Sequence, residues 1–157
     1  MATTTATLTL SSSDLLSDNL ALSTTMNLYK NGTTATGLEQ LNYHRALIPT
    51  GTNFVLISES AKLNATAGEP ANYVYIINKN TDVTDYVVVS IRSEVIGRLY
   101  AGDWMFIPFS AATTETTATD DPSGDDSDIA IQANTHDCHV EYAMFHSGET
   151  LLTHTAS

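Results

Sequence analysis

His136, Cys138 and His139 are the most closely spaced reactive side chains in the sequence. A thiol next to an imidazole can serve as nucleophile and general base, but nothing nearby marks an oxyanion hole or a third orienting group. Two ligands on one face of a strand also fall short of the four N or S donors of a structural zinc site. Cys138 is the single cysteine, and beside Val140 and Tyr142 it is interpreted as a small buried core residue. We therefore predict no catalytic residue, no cofactor and no enzymatic activity.

An acidic segment over residues 120–128 is the best candidate for a cation site. Its five carboxylates surround Gly124 and could supply oxygens to Ca²⁺; they are Asp120, Asp121, Asp125, Asp126 and Asp128. The spacing is not that of an EF-hand, because no bidentate Glu follows at the required distance. We assign no metal to it, and the alternative is a solvated loop whose like charges repel one another.

The charge balance argues against a nucleic-acid partner. The 157-residue chain has 18 acidic and 6 basic residues, a net charge of −12 and a pI near 4.4. A nucleic-acid binder places Lys and Arg against phosphates, whereas the basic residues here are scattered. Its apolar runs, such as Met105 to Phe109, are far shorter than the roughly 20 residues of a membrane helix. The start, Met1 to Thr5, has no basic or apolar segment, so we expect no signal peptide and synthesis in a cytosol.

Short apolar segments separated by turn residues predict an all-β protein. Expected strands lie at residues 20–28, 53–57, 73–77, 86–91, 95–100, 104–109, 129–133 and 138–145. Their spacing favours a single antiparallel β-sandwich or jelly roll, with an extended N-terminal arm (1–13), a sandwich domain (14–146) and a C-terminal tail (147–157). Pro108 indicates a sheet edge. The polar residues Glu39, Tyr43, His44 and Arg45 are interpreted as an exposed connection.

The segment Ile96 to Phe109 is the densest apolar part of the chain. It reads as a strand, a turn at Ala101-Gly102-Asp103 and a second strand, and it contains the only Trp. We expect Trp104 and Phe106, together with Tyr142 near the end of the chain, to lie in the core.

The N-terminal arm is expected to bind a partner. Thr5, Thr7 and Thr9 alternate with apolar residues, a period of two that suits a strand with one covered face. The arm cannot build a core alone, so its apolar face needs another surface. The residues assigned to this contact are Thr3, Thr5, Ala6, Leu8 and Leu10.

Four segments of the chain resemble small virion structural proteins of tailed bacteriophages, especially those that infect cyanobacteria. The segments are Leu8 to Leu15, a middle part made of Tyr73 to Asn78 followed by Asp85 to Val89, Ile96 to Pro108, and Val140 to Phe145. The most specific of them is Ile96 to Pro108. The resemblance covers most of residues 8–145, carries no catalytic motif and implies a β-rich protein present in many copies on a phage particle.

From this resemblance we expect a capsid decoration (cement) protein, assembled in the host cytoplasm. It would bind the outer surface of the major capsid shell as a dimer or trimer, with no nucleic-acid or membrane contact, and stabilise the shell. A tail, neck or baseplate accessory protein is an alternative within the virion. A receptor- or glycan-binding module with Tyr rings as its platform is another.

Overall fold

The computed structural model describes residues 4–13, 20–29, 34–35, 37–38, 40–57, 73–91, 94–108 and 129–146. These residues form ten β-strands and no helix. The strands are β1 (Thr4–Ser12), β2 (Leu20–Leu28), β3 (Gln40–Ile48), β4 (Phe54–Ile57), β5 (Tyr73–Asn78), β6 (Tyr86–Ile91), β7 (Glu94–Tyr100), β8 (Trp104–Pro108), β9 (Ile129–Ala133) and β10 (Cys138–His146). The predicted all-β class is confirmed.

Eight strands form two antiparallel sheets that pack against each other. The first sheet has the order β3-β10-β5-β8 and the second has the order β4-β9-β6-β7. Consecutive strands alternate between the two sheets, except for β6 and β7, which pair directly. This is the strand arrangement of an eight-stranded jelly roll, so the topology identifies which of the two predicted sandwich types the chain adopts.

Alternation of side chains along each strand builds the core. In β5, Val74 and Ile76 are buried, while the residues between them face outward. In β6, Val87 and Val89 are buried in the same way. Residues of both sheets join in one cluster, to which β9 contributes Ile129, Ile131 and Ala133. The inner faces of the two sheets are therefore built from every second residue of their strands.

The core positions predicted for Trp104 and Phe106 are wrong. Trp104 is 51% exposed, and Phe106 lies on the same outer face of β8. Met105 and Ile107 point inward and pack against the core instead. The size of these side chains suggested burial. In a pleated strand, however, alternate residues lie on opposite faces, and only one of the two faces of β8 meets the second sheet. Tyr142, by contrast, packs against the core cluster from β10.

The connection expected around Tyr43, His44 and Arg45 is a strand. These residues belong to β3, which pairs with β10 along its full length, from Gln40 opposite His146 to Ile48 opposite Cys138. As an edge strand, β3 leaves His44 and Arg45 exposed, and such polar residues conceal its period-two pattern. Glu39 lies outside the described residues.

The turn and edge predictions around β8 are confirmed. Gly102 has φ +86°, a conformation that favours glycine, and the Asp103 N–H donates to the Tyr100 carbonyl at 2.8 Å. The turn carries the chain from β7 in the second sheet to β8 in the first. Pro108 ends β8, which is an edge strand and therefore tolerates a missing N–H donor.

Candidate functional site

The N-terminal strand is half of a hairpin that stands apart from both sheets. β1 pairs with β2 over nine residues, from Thr4 opposite Leu28 to Ser12 opposite Leu20. In the described part of the chain, this pair forms a sheet of its own. Residues 7–11 and 21–27 are exposed on both faces. The hairpin therefore projects from the jelly roll, and the arm predicted over residues 1–13 is one of its two strands.

One side of the hairpin is apolar and uncovered. We define the apolar hairpin face as Ala6, Leu8, Leu10, Leu22 and Met26, which the antiparallel register places on one side. Leu10 is 48% exposed and Met26 is 47% exposed, although both occupy the positions that a packed strand would bury. Exposed apolar surface of this kind is typical of interaction sites. Of the predicted contact residues, Ala6, Leu8 and Leu10 lie on this face.

The opposite side of the hairpin carries hydroxyl groups. The Thr7 and Thr25 hydroxyl oxygens lie 3.0 Å apart, and the Thr9 and Ser23 hydroxyl oxygens lie 3.4 Å apart. Thr5 faces this side, so it does not share a surface with Leu8 and Leu10. Thr3 lies outside the described residues. The hairpin is thus amphipathic, and because an isolated hairpin is marginally stable in water, covering its apolar side would stabilise it.

The base of the hairpin is tied to the segment that leads into β3. The Thr4 hydroxyl donates to the Leu38 carbonyl at 2.9 Å, and the Leu38 N–H donates to the Leu28 carbonyl at 3.3 Å. Leu28 and Leu38 are both almost fully buried. The base of the hairpin is therefore fixed to the residue pair that precedes β3 in the chain, through Leu38.

A second exposed surface covers the outer side of the first sheet. We define the aromatic face by its six rings, which are Tyr43, Tyr73, Tyr75, Trp104, Phe106 and Phe145. Tyr43, Ala143, Tyr75 and Phe106 lie side by side across the four strands, and Arg45, Glu141, Ile77 and Trp104 form the next row. Tyr43 and Trp104, on the two edge strands, are both more than half exposed.

The rings of the aromatic face pack on one another. Tyr73 and Phe106 are parallel, with centroids 5.4 Å apart, and Phe145 meets Phe106 edge to face at 5.9 Å. Tyr75 is tilted against Trp104 at 6.2 Å. Parallel rings at this distance are offset-stacked, so each covers part of the face of the other. The surface therefore presents ring edges together with partly covered faces, rather than a row of free ring faces.

The aromatic face contains one ion pair. The Arg45 guanidinium lies 3.4 Å from the Glu141 carboxylate. The pKa of the Tyr43 hydroxyl is raised, first by its hydrogen bond to the Glu141 side chain. Glu141 is thus paired with two neighbours on β3, and its charge is balanced within the surface.

Loops at one end of the sandwich assemble a polar cluster around Asn78 and Asp85, which are both buried. The Asn78 amide donates to the Leu99 carbonyl at 3.0 Å, and its side-chain oxygen accepts from the Asn80 N–H at 3.0 Å. The Asn80 amide donates to the Asp85 carboxylate at 2.9 Å. These bonds join the β5–β6 loop to the end of β7, which is a structural role.

His136 completes the cluster from the β9–β10 loop. Its Nδ1 lies 2.7 Å from the Asp85 carboxylate, and its side chain is 67% exposed. The pKa of His136 is raised, first by the hydrogen bond to Asp85 and then by the charge of that carboxylate. The pair resembles the base and orienting group of a catalytic triad, but no described hydroxyl or thiol is hydrogen bonded to the His136 ring.

We expect the free energy of unfolding to decrease as the pH rises through the folded-state pKa of His136. In the unfolded chain this pKa is about 6.5, and in the folded protein it is higher. The contribution of the charged pair is therefore complete below about pH 6 and is lost as the pH rises through the folded value. Denaturant unfolding of the wild type and of His136→Gln across this range, with NMR titration of the ring, tests this. Equal pH dependence in both proteins would contradict it.

Cys138 is a packing residue. It is fully buried, and burial, followed by the nearby Asp85 and Asp137 carboxylates, raises the pKa of its thiol to about 11. Its Sγ lies 3.4 Å from the His136 backbone oxygen. The thiol is therefore protonated at neutral pH and poorly suited to nucleophilic attack. The predicted burial of Cys138 is confirmed, while His139 points outward on the same strand.

Two exposed aspartates order neighbouring loops. Asp137 accepts hydrogen bonds from the Thr50 N–H at 2.8 Å and from the Thr50 hydroxyl at 2.9 Å, and both lower its pKa. Asp82 accepts in the same way from Thr84, with the same effect on its pKa. Asp137 thus joins the β9–β10 loop to the connection between β3 and β4, whereas Asp82 orders its own loop.

Among the described residues, no cluster of three or more His, Cys, Asp or Glu side chains could hold a metal ion. The calcium candidates Asp120, Asp121, Asp125, Asp126 and Asp128 lie outside that part of the chain. The same part contains no helix that is long and apolar enough to cross a membrane.

In comparisons with known proteins, no protein-family model, curated protein or solved structure matches the chain.

The aromatic face was missed by sequence reasoning. The residues on both faces of β5 and β8 are apolar, as in Tyr73-Val74-Tyr75-Ile76 and Trp104-Met105-Phe106-Ile107. Such double-sided patterns indicate a strand covered on both faces. Because β5 and β8 belong to a two-layer sandwich, the second apolar side is left at the surface. That pattern was the available sign of an interaction face.

Proposed function

We propose that this chain is a structural attachment protein of a tailed-bacteriophage virion, namely a capsid decoration protein that binds the outer surface of the major capsid shell. The observation that carries the proposal is the apolar hairpin face, which projects uncovered from a jelly roll whose core is complete without it. The likeness of residues 8–145 to phage virion proteins supports the same assignment. The hairpin is the element that contacts the shell.

The energy available to one hairpin favours attachment in many copies. Covering the exposed half of Leu8, Leu10, Leu22 and Met26 contributes on the order of 3 to 6 kcal/mol. Association costs a comparable amount in lost translational and rotational freedom, at least about 4 kcal/mol. A single hairpin therefore binds weakly, whereas several hairpins on one oligomer bind through avidity. A repetitive protein shell offers such repeated sites.

The surface charge fits a role on the outside of a particle. A net charge of −12 repels the packaged genome and other polyanions, and it keeps the free protein soluble before attachment. Stabilisation of the shell would come from apolar surface buried between the hairpins and neighbouring shell subunits.

We expect the double variant Leu10→Thr/Leu22→Thr to lower occupancy on virions about tenfold to hundredfold. These two residues lie opposite each other on the apolar hairpin face. Thr preserves strand propensity, while each replacement removes about 1 kcal/mol of apolar burial. The variants are introduced into the phage gene, and copies per purified particle are counted by quantitative mass spectrometry.

The matched control is Thr9→Ala/Ser23→Ala, which changes an exposed cross-strand pair on the hydroxyl side of the same hairpin. It should occupy virions as the wild type does. Wild-type occupancy by the leucine variant, or absence of the protein from purified virions, would refute the proposal. Hundreds of copies per particle support the head, whereas about six or twelve would place the protein at the neck or baseplate.

A further inference from the structure

We propose that the aromatic face is the surface through which two copies of this chain associate. The inference concerns the free protein and does not depend on what the hairpin binds. Three features of the described residues support it: the residue types on the face, the distribution of charge, and the area available.

The residue types are those that dominate the binding energy of protein interfaces. Trp, Tyr and Arg are the residues most enriched at interface hot spots. Tyr75 lies near the middle of the aromatic face, with Trp104 and Tyr43 on the edge strands to either side and Arg45 in the adjacent row. Trp104, Tyr43, Leu41 and Leu47 are all more than half exposed. A monomer gains nothing from leaving this much apolar surface in water.

The charge distribution selects a second copy as the partner. The chain carries a net charge of −12, so most approaches between two copies are repulsive. Within the described residues of β3, β10, β5 and β8, the only Lys, Arg, Asp or Glu side chains are Arg45 and Glu141. The first sheet is therefore a neutral surface on an acidic protein. A positive and a negative group side by side are also complementary to the same pair on a copy related by a two-fold axis.

The packing of the rings disfavours a carbohydrate ligand. A sugar ring that stacks on an aromatic side chain requires a free ring face, but Tyr73 and Phe106 stack on each other, and Phe145 sits edge-on to Phe106. Ring edges and the intervening aliphatic side chains form an uneven apolar surface, which suits interdigitation with the side chains of another protein.

The area of the aromatic face sets the expected affinity of two copies for each other. Four strands by about six residues give a surface roughly 19 Å wide and about 20 Å long, or about 400 Å² per copy seen flat. Contact between two copies then lies at the low end of specific interfaces. We expect a reversible dimer with a Kd in the micromolar range. Two hairpins on such a dimer would also provide the avidity that one hairpin lacks.

Sedimentation equilibrium of the purified wild-type chain, between about 1 and about 200 µM, tests the inference without any particle present. The wild type should shift from monomer to dimer across this range. Trp104→Glu places a like charge on the face and should raise the Kd at least tenfold. Ile96→Glu is the control, because Ile96 is comparably exposed on β7 of the second sheet. It should dimerise as the wild type does.

Charge exchange gives a second, independent readout. Arg45→Glu and Glu141→Arg should each weaken the dimer, and the double variant Arg45→Glu/Glu141→Arg should restore it. Far-UV circular dichroism confirms that each variant is folded. A wild type that remains monomeric, a Trp104→Glu dimer of unchanged Kd, or a monomer that binds a glycan array through Trp104 would overturn the inference. Loss of virion occupancy by Trp104→Glu with an unchanged oligomeric state would also overturn it, since the aromatic face would then contact the shell.

Discussion

Ile131→Ala is expected to lower the free energy of unfolding by about 3 to 4 kcal/mol. Ile131 is fully buried on β9, a central strand of the second sheet, where it lies between Phe54 of β4 and Val89 of β6. Its side chain belongs to the cluster that joins the two sheets. Truncation leaves a cavity that surrounding strands cannot close, because they are held in place by hydrogen bonds on both sides.

Urea unfolding followed by far-UV circular dichroism measures this loss, with Ile96→Ala as the matched control. Ile96 undergoes the same chemical change at a position that is 53% exposed on the edge strand β7. We expect a change below about 1 kcal/mol there, mostly from reduced strand propensity. Similar losses for the two variants would contradict the assignment of Ile131 to a packed core between the sheets.

Asn78→Asp is expected to cost about 3 to 4 kcal/mol at neutral pH, although it barely changes side-chain size. The Asn78 amide is fully buried and donates to the Leu99 and Asp85 carbonyls at 3.0 and 3.4 Å. An aspartate at this position removes both donors and directs a carboxylate at two carbonyl oxygens. The Asn80 N–H can still donate to a side-chain oxygen at this position. The loss therefore combines the two missing donated bonds with the burial of a charge beside two carbonyl oxygens.

The same denaturation experiment is repeated with Asn134→Asp, an exposed loop position whose amide contacts only the Thr135 hydroxyl among the described residues. A change within about 0.5 kcal/mol is expected for this control. Lowering the pH should partly restore the Asn78→Asp variant, because a protonated carboxyl can donate one hydrogen bond. Full wild-type stability of Asn78→Asp at neutral pH would show that the buried network does not hold this end of the sandwich together.

The two proposals assign a different partner to each of the two exposed surfaces. We propose that the apolar hairpin face contacts the shell and that the aromatic face contacts a second copy. The two experiments separate these roles, because virion occupancy and the oligomeric state of the free chain are measured independently.

Local pattern was sufficient to predict the fold class and every strand except β3. Period-two alternation marked β1 and β2, aromatic and β-branched residues marked β5, and turn residues separated most of the others. The conformational need for glycine at position 102 and the lack of an N–H on Pro108 are properties of single residues, so the turn and the sheet edge followed from the sequence. The burial of Cys138 followed from its strand context in the same way.

Tertiary structure decided which apolar faces are covered. The sequence shows that Trp104 and Met105 point to opposite sides of a strand, but it does not show which side meets another sheet. That depends on the pairing of β8 with β5 and on the position of the second sheet. The largest side chain therefore lies outside, and a strand in which both parities are apolar contributes to both the core and the surface.

The polar cluster around Asn78 and Asp85 was the feature whose formation depended most on the three-dimensional fold. Asp85 and His136 are 51 residues apart in the sequence, and the jelly-roll connections bring their loops to 2.7 Å from one another. The partner of β1 was also decided by the fold, since an amphipathic strand alone does not specify whether it pairs within the chain or with another protein. Side-chain alternation is a local property of the backbone and can be read from the sequence, whereas burial depends on contacts between distant segments and exists only once the sheets have packed.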